Sequence, residues 1–121
     1  EFGGWLCPSG ISYEVHTYLD SSVQIDEAGM FVGVNGEYRV KNVYVGDEPL
    51  DLNKTYTVAS HNYMLQNMGD GYTMFADNVY TQDNVMVDVQ VLFTYITKGL
   101  DGMIGEEYAE PQGRIIFVEE K

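Results

Sequence analysis

Apolar and polar side chains alternate from Ile11 to His16, the period-two pattern of a strand with one face in a core. Tyr18 to Glu27 is polar and irregular and reads as a surface loop. Met30 to Val34 is a short apolar run, followed by Asn35-Gly36 and a second β-rich run from Glu37 to Val45. Asn-Gly between two such runs predicts a hairpin joining them. The alternation changes face between Val40 and Val43, which predicts a bulge or two-sided burial. Turns are expected at Gly46-Asp47-Glu48-Pro49 and at Asp51-Leu52-Asn53-Lys54. Tyr56 to Ser60 reads as a strand. A turn or two of helix over Tyr63 to Asn67 follows, and Gly69 to Gly71 reads as loop. Asp83 to Asp88 is mixed, with Val85 and Val87 hinting at an extended piece. Val89, Leu92, Phe93, Ile96 and Leu100 recur at helical spacing, with Asp88 placed to cap the start and Lys98-Gly99 the end. Arg114 to Val118 is a closing strand. Four or five strands, mostly joined by hairpins, with one clear helix, give an α+β fold: a mixed or antiparallel sheet packed against few helices.

Length then limits the organisation. At 121 residues the chain is one domain or part of one. It opens on Glu1-Phe2-Gly3-Gly4-Trp5-Leu6, which reads as the interior of a folded domain, and no secretory signal is visible at Glu1. No apolar run is long enough to span a membrane. The net charge of −13 sets the chain against nucleic-acid polymers, whose binding depends on cations that displace counterions from phosphates. A single small nucleotide remains compatible with that charge, because a local pocket can differ from the global field. The lone cysteine, Cys7, has no internal disulfide partner and sits beside Trp5 and Leu6, so it reads as a small buried hydrophobe.

The densest chemistry lies in the stretch from Ser60 to Phe75. Asp70, between Gly69 and Gly71, puts a carboxylate on an open turn, and Tyr63 supplies a flat ring with a polar tip. Two readings stand at this point: a tight turn in which Asp70 bonds its own backbone, and a loop that holds a flat polar ligand. Elsewhere the sequence has no phosphate-cradling loop, no dinucleotide fingerprint and no Cys/His cluster. His16 reads as an exposed strand residue, and His61 as structural or supporting. Ser60 and His61 are neighbours on an expected strand and would point to opposite faces, so they do not form a nucleophile and base. No catalytic residue is assigned.

The order of Gly3-Gly4-Trp5-Leu6, Ser9-Gly10-Ile11-Ser12-Tyr13, Arg39-Val40, Gly46-Asp47-Glu48-Pro49-Leu50-Asp51, Lys54-Thr55-Tyr56-Thr57-Val58-Ala59, Asn62-Tyr63 and Gly69-Asp70-Gly71-Tyr72 resembles the C-terminal domain of bacterial 5′-nucleotidases. UDP-sugar hydrolases and 2′,3′-cyclic-nucleotide phosphodiesterases belong to the same family. The likeness runs from Gly3 to about Phe75 and weakly on to Gly113-Arg114-Ile115. It implies a substrate-binding set of Tyr63, Asp70, Gly69, Gly71 and Asn62, in which Tyr63 stacks on the nucleobase and Asp70 takes a ribose hydroxyl. It also implies a separate N-terminal catalytic domain with two divalent metal ions, absent from this chain, and a secreted, periplasmic or cell-surface location. Two positions depart from the family pattern. Met68 replaces the first glycine of Gly-Gly-Asp-Gly, and Tyr63 stands seven rather than six positions before Asp70. Tyr72 is the reserve aromatic. On this reading the chain alone has no phosphatase activity, and an open strand edge in an incomplete sheet favours self-association. The alternatives are a non-catalytic binding module that keeps the fold without the nucleotide site, and a surface adhesion domain.

Overall fold

The structure is a computed structural model, and it describes residues 5–78 and 82–120. Gly3 and Gly4 of the resemblance lie outside the described residues. The fold is α+β and divides into two compact units, residues 1–76 with 113–121 and residues 77–112.

The first unit is built on a four-stranded sheet of order β5-β4-β1-β6. The expected strand β1 spans Ile11–His16 and lies at its centre, with Val15 buried. β4 (Val40–Val45) runs antiparallel to β1, and β6 (Ile115–Val118) runs parallel to it on the other side. The expected bulge is present on β4. Ser12 faces Tyr44 and Glu14 faces Lys41, so Asn42 and Val43 together oppose Tyr13. Asn42 takes a φ of 49° there. A bulge re-aims the side chain that it carries, and the Asn42 amide donates to Glu14 Oε2 at 2.8 Å. Gly46-Asp47 make the next turn, Gly46 at φ 61°, and β5 (Glu48–Pro49) returns along β4.

The expected hairpin across Asn35-Gly36 does not form. β3 (Phe31–Val34) pairs instead with β2 (Val23–Ile25), a strand inside the segment expected to be loop. The turn between them is organised by Asp26, whose Oδ1 accepts the amides of Ala28 and Met30, both at 2.9 Å. The Asn35 amide donates to the Ser22 carbonyl at 2.7 Å, which ties Asn35 into this hairpin. β4 is meanwhile taken by β1, the longer partner. Tyr56–Ser60, expected as a strand, has the residue types but no ladder, because a strand exists only where another backbone pairs with it. The Asp51 turn is as expected, with Asn53 donating its amide to Asp51 Oδ1 at 2.9 Å.

Two other expectations are corrected here. Cys7 is exposed rather than buried. His16 is not an exposed strand residue: its side chain keeps only 13% of its accessibility, between Glu14 and Tyr18. Its Nε2 lies 2.9 Å from Glu14 Oε2 and its Nδ1 lies 2.8 Å from the Tyr18 hydroxyl. A carboxylate only accepts, so Nε2 carries the hydrogen, and in the neutral ring Nδ1 accepts from Tyr18.

The second unit holds α2 (Asp88–Thr94), which widens into a π turn over Tyr95–Gly99. Helical periodicity located it well. The N-cap is Val87, with Asp88 in the first turn, where its charge suits the helix dipole. Tyr95 and Tyr108 join hydroxyls at 2.9 Å. No helix among the described residues is long and apolar enough to cross a membrane.

Hydrogen bonds from His16 and Asn42 hold the Glu14 carboxyl below its usual pKa. A group depressed on folding stabilises above its unfolded pKa, and that contribution is lost as the pH falls through the folded value. Glu14→Gln is therefore expected to lose stability near neutral pH and to show a shallower fall in melting temperature on acidification. Thermal melts between about pH 7 and 3 check this.

Candidate functional site

The central stretch is a chain of tight turns set against the β2–β3 hairpin. α1 (Asn62–Leu65) opens it, and Met64 is 2% exposed beneath it. His61 caps the helix in an extended conformation, and the Asn62 carbonyl accepts the amides of Gln66 and Asn67 at 2.9 and 3.0 Å. Gly69–Gly71 then form a 3₁₀ turn, closed by the Gly71 amide on the Met68 carbonyl at 3.1 Å and the Tyr72 amide on the Gly69 carbonyl at 3.3 Å. The expected loop is thus a tight, irregular turn, with Asp70 outside helical φ/ψ. Met68, Asp70 and Gly71 all have positive φ, at 55°, 53° and 84°. Side chains larger than glycine adopt that region at a cost of about 1–2 kcal/mol.

Gly71 is required by a backbone contact, and Gly69 by the present position of the Tyr63 ring. A Cβ at Gly71 would lie 2.5 Å from the Gly29 carbonyl oxygen, backbone that cannot swing aside. Gly71 is accordingly buried, while Asp70 beside it is exposed. A Cβ at Gly69 would lie 2.3–2.5 Å from three consecutive atoms of the Tyr63 ring, so Gly69 sits against a face of that ring. Further along, the Thr73 hydroxyl donates to the Phe31 carbonyl, a second fastening of the stretch to β3.

Tyr63 and Asp70 meet: the phenol donates to Asp70 Oδ1 at 3.1 Å. Tyr63 is 48% exposed, with one face of its ring against Gly69 and the His61 ring centroid 6.3 Å away. Asp70 Oδ2 and the remaining lone pairs of Oδ1 can accept further donors. Asn62, Tyr63, Gly69, Asp70 and Gly71 therefore share one small region, and the tyrosine and the carboxylate are directly coupled. Tyr72, the reserve aromatic, is half-buried and stacks on Phe75 at 6.2 Å. Burial and, second, the Asp70 charge raise its pKa. Tyr72 therefore packs, and Tyr63 is the more exposed of the two rings. The residue six positions before Asp70 is the buried Met64.

What the sequence did not disclose is the support: Gly29, Met30 and Phe31 of the hairpin. Asp26 and Gly29, spaced as a tight turn, were the available signal. Among the described residues no three His, Cys, Asp or Glu side chains come together that could hold a metal.

The family model described as 5′-nucleotidase, C-terminal domain matches residues 5–77, more than half of the chain and all of the turn region. Neither a curated protein nor a solved structure matches.

Two substitutions test the strained turn by urea denaturation. Gly71→Ala is expected to destabilise by about 2 kcal/mol or more, from a positive φ and a backbone collision. Met68→Gly relieves a left-handed methionine and is expected to stabilise by about 1 kcal/mol.

Proposed function

The chain belongs to the family of 5′-nucleotidase C-terminal domains, and on that premise we propose that it is the nucleoside-recognition part of a 5′-nucleotidase-type hydrolase. The observation that carries the reading is the Tyr63–Asp70 pair on the Gly69–Gly71 turn, inside the matched region. Asp70 accepts from the vicinal hydroxyls of a ribose, and hydrogen bonds to a charged acceptor are the stronger ones. Tyr63 holds that carboxylate through its hydroxyl and offers its open face to a base. Gly69 lets the ring lie flat beside the turn, and Gly71 lets the turn seat on the hairpin. Asn62 begins the helix that carries Tyr63.

The role of these residues in catalysis is positioning. A nucleoside held at both base and ribose presents its phosphate in a fixed place, which removes much of the entropic cost of reaction. Hydrolysis itself, with the two divalent ions of the resemblance, belongs to an N-terminal catalytic domain outside this chain. This chain is then the latter part of the C-terminal domain. Its scarcity of buried apolar side chains supports that placement: among the described residues the only buried hydrophobic side chains are those of Val15 and Met64. The parent is an exported protein of nucleotide catabolism, at the bacterial surface or in the periplasm.

The rival is a module that keeps the fold without the nucleotide site. Met64 at the sixth position before Asp70 favours it. One titration separates the two: calorimetry of adenosine binding to the full parent protein. Asp70→Ala is expected to weaken binding by about 1.5–3 kcal/mol, and Tyr63→Ala by about 1–3 kcal/mol. Tyr63→Phe keeps the ring and loses only the bond that orients Asp70, with an expected loss of about 1 kcal/mol. Unchanged affinity in both alanine variants would favour the rival.

A further inference from the structure

The two edges of the four-stranded sheet differ in kind. β5 has two residues, one of them Pro49, and shortness and proline are devices that blunt an edge. β6, at the other edge, has neither. It presents four consecutive apolar residues, Ile115–Val118, with Ile116 52% and Phe117 58% exposed. A paired edge strand uses alternate residues toward its neighbour. The carbonyls of Arg114 and Val118 accept from Tyr13 and Thr17 at 2.9 and 2.8 Å. Even-numbered residues of β6 thus bond to β1, and by the period of the strand the amides and carbonyls of Ile115 and Phe117 face outward.

We propose that this edge is where two copies of the chain join, β6 against β6 in antiparallel register about a two-fold axis at Phe117. An antiparallel pair needs outward-facing residues to exchange bonds, so odd-numbered residues must oppose odd-numbered ones. Pairing Phe117 with Phe117 of the second copy satisfies this and sets Ile115 against Glu119, Ile116 against Val118 and Arg114 against Glu120. Moving the register by two residues in either direction keeps the backbone bonds but takes Arg114 away from Glu120. Charge matters here because the chain carries 6 cations against 19 acids and copies otherwise repel. Arg114 and Glu120 have no ion-pair partner among the described residues, so both are available. The two-fold register uses the cation twice, once at each end of the seam, in the isologous arrangement usual for dimers. At the axis it brings two phenylalanines together. Each is stacked on its own Trp5 at 6.4 Å, and cross-strand aromatic pairs favour such a seam.

Sedimentation equilibrium of the 121-residue chain tests this in about 0.15 M salt, where charges far from the seam are screened. The expected result is a monomer–dimer equilibrium, with the emission of Trp5, the single tryptophan, changing along the same concentration curve. Arg114→Glu is expected to weaken association about tenfold, and adding Glu120→Arg to the same chain should restore it. Phe117→Pro removes an amide that faces away from β1, so it should abolish the dimer while leaving the circular dichroism spectrum intact. A chain that stays monomeric up to about 200 μM, a weak affinity for any specific interface, overturns the proposal and leaves the edge to another segment of the parent. Association that is indifferent to Arg114→Glu and to Phe117→Pro overturns it as well, by placing the interface elsewhere.

Discussion

Everything at the candidate site depends on the close approach of Gly71 to the Gly29 carbonyl. No other residue type could bring the backbone of the turn that near to the hairpin, and no other accepts a φ of 84° so readily. With Gly71 seated, Asp70 beside it is exposed, and its carboxylate accepts from the Tyr63 hydroxyl. Its own left-handed conformation is a local cost that the seating and the Thr73–Phe31 bond over-determine. The carboxylate is exposed yet placed, the combination that a binding group requires.

The same contact explains why a weak hairpin matters. β2 has three exposed residues, and by itself such a ribbon has little stability. Asp26 ties its turn, and the glycine turn then packs on it, so hairpin and site stabilise each other. The sheet carries the rest. β1 is bonded on both sides, and the Asn42 bulge turns an amide onto Glu14 to complete a chain of four polar side chains with His16 and Tyr18. That chain pins β1 on the side of β4, while the site is held by the smaller sheet. Stability of the scaffold and placement of the carboxylate are therefore separable to a degree, and substitutions in each need not have the same effect.

The sequence disclosed the parts that are locally determined. Alternation located β1, a β-rich run located β4, and the apolar run near the C-terminal end located β6. The phase change between Val40 and Val43 located the bulge, and helical spacing located α2. The turn at Gly69-Asp70-Gly71 was legible because glycine flanking a carboxylate is informative about backbone shape. Partner choice was not legible. Asn35-Gly36 carries a hairpin signal, yet β4 pairs with β1 and β3 with β2. Tyr56–Ser60 has strand residues without a neighbouring strand to pair with. Cys7 and His16 were misjudged for one reason: exposure depends on what the rest of the chain brings near. His16 gained two hydrogen-bond partners on its own strand face, and Cys7 gained no cover.

The most direct measurement is a crystal structure of the parent protein with adenosine. The account predicts the ribose hydroxyls within hydrogen-bond distance of Asp70, with the base against the open face of Tyr63 and the Gly69–Gly71 turn unmoved on the hairpin. A nucleoside bound elsewhere, with Asp70 touching only Tyr63, would contradict it and reduce the turn to a structural device.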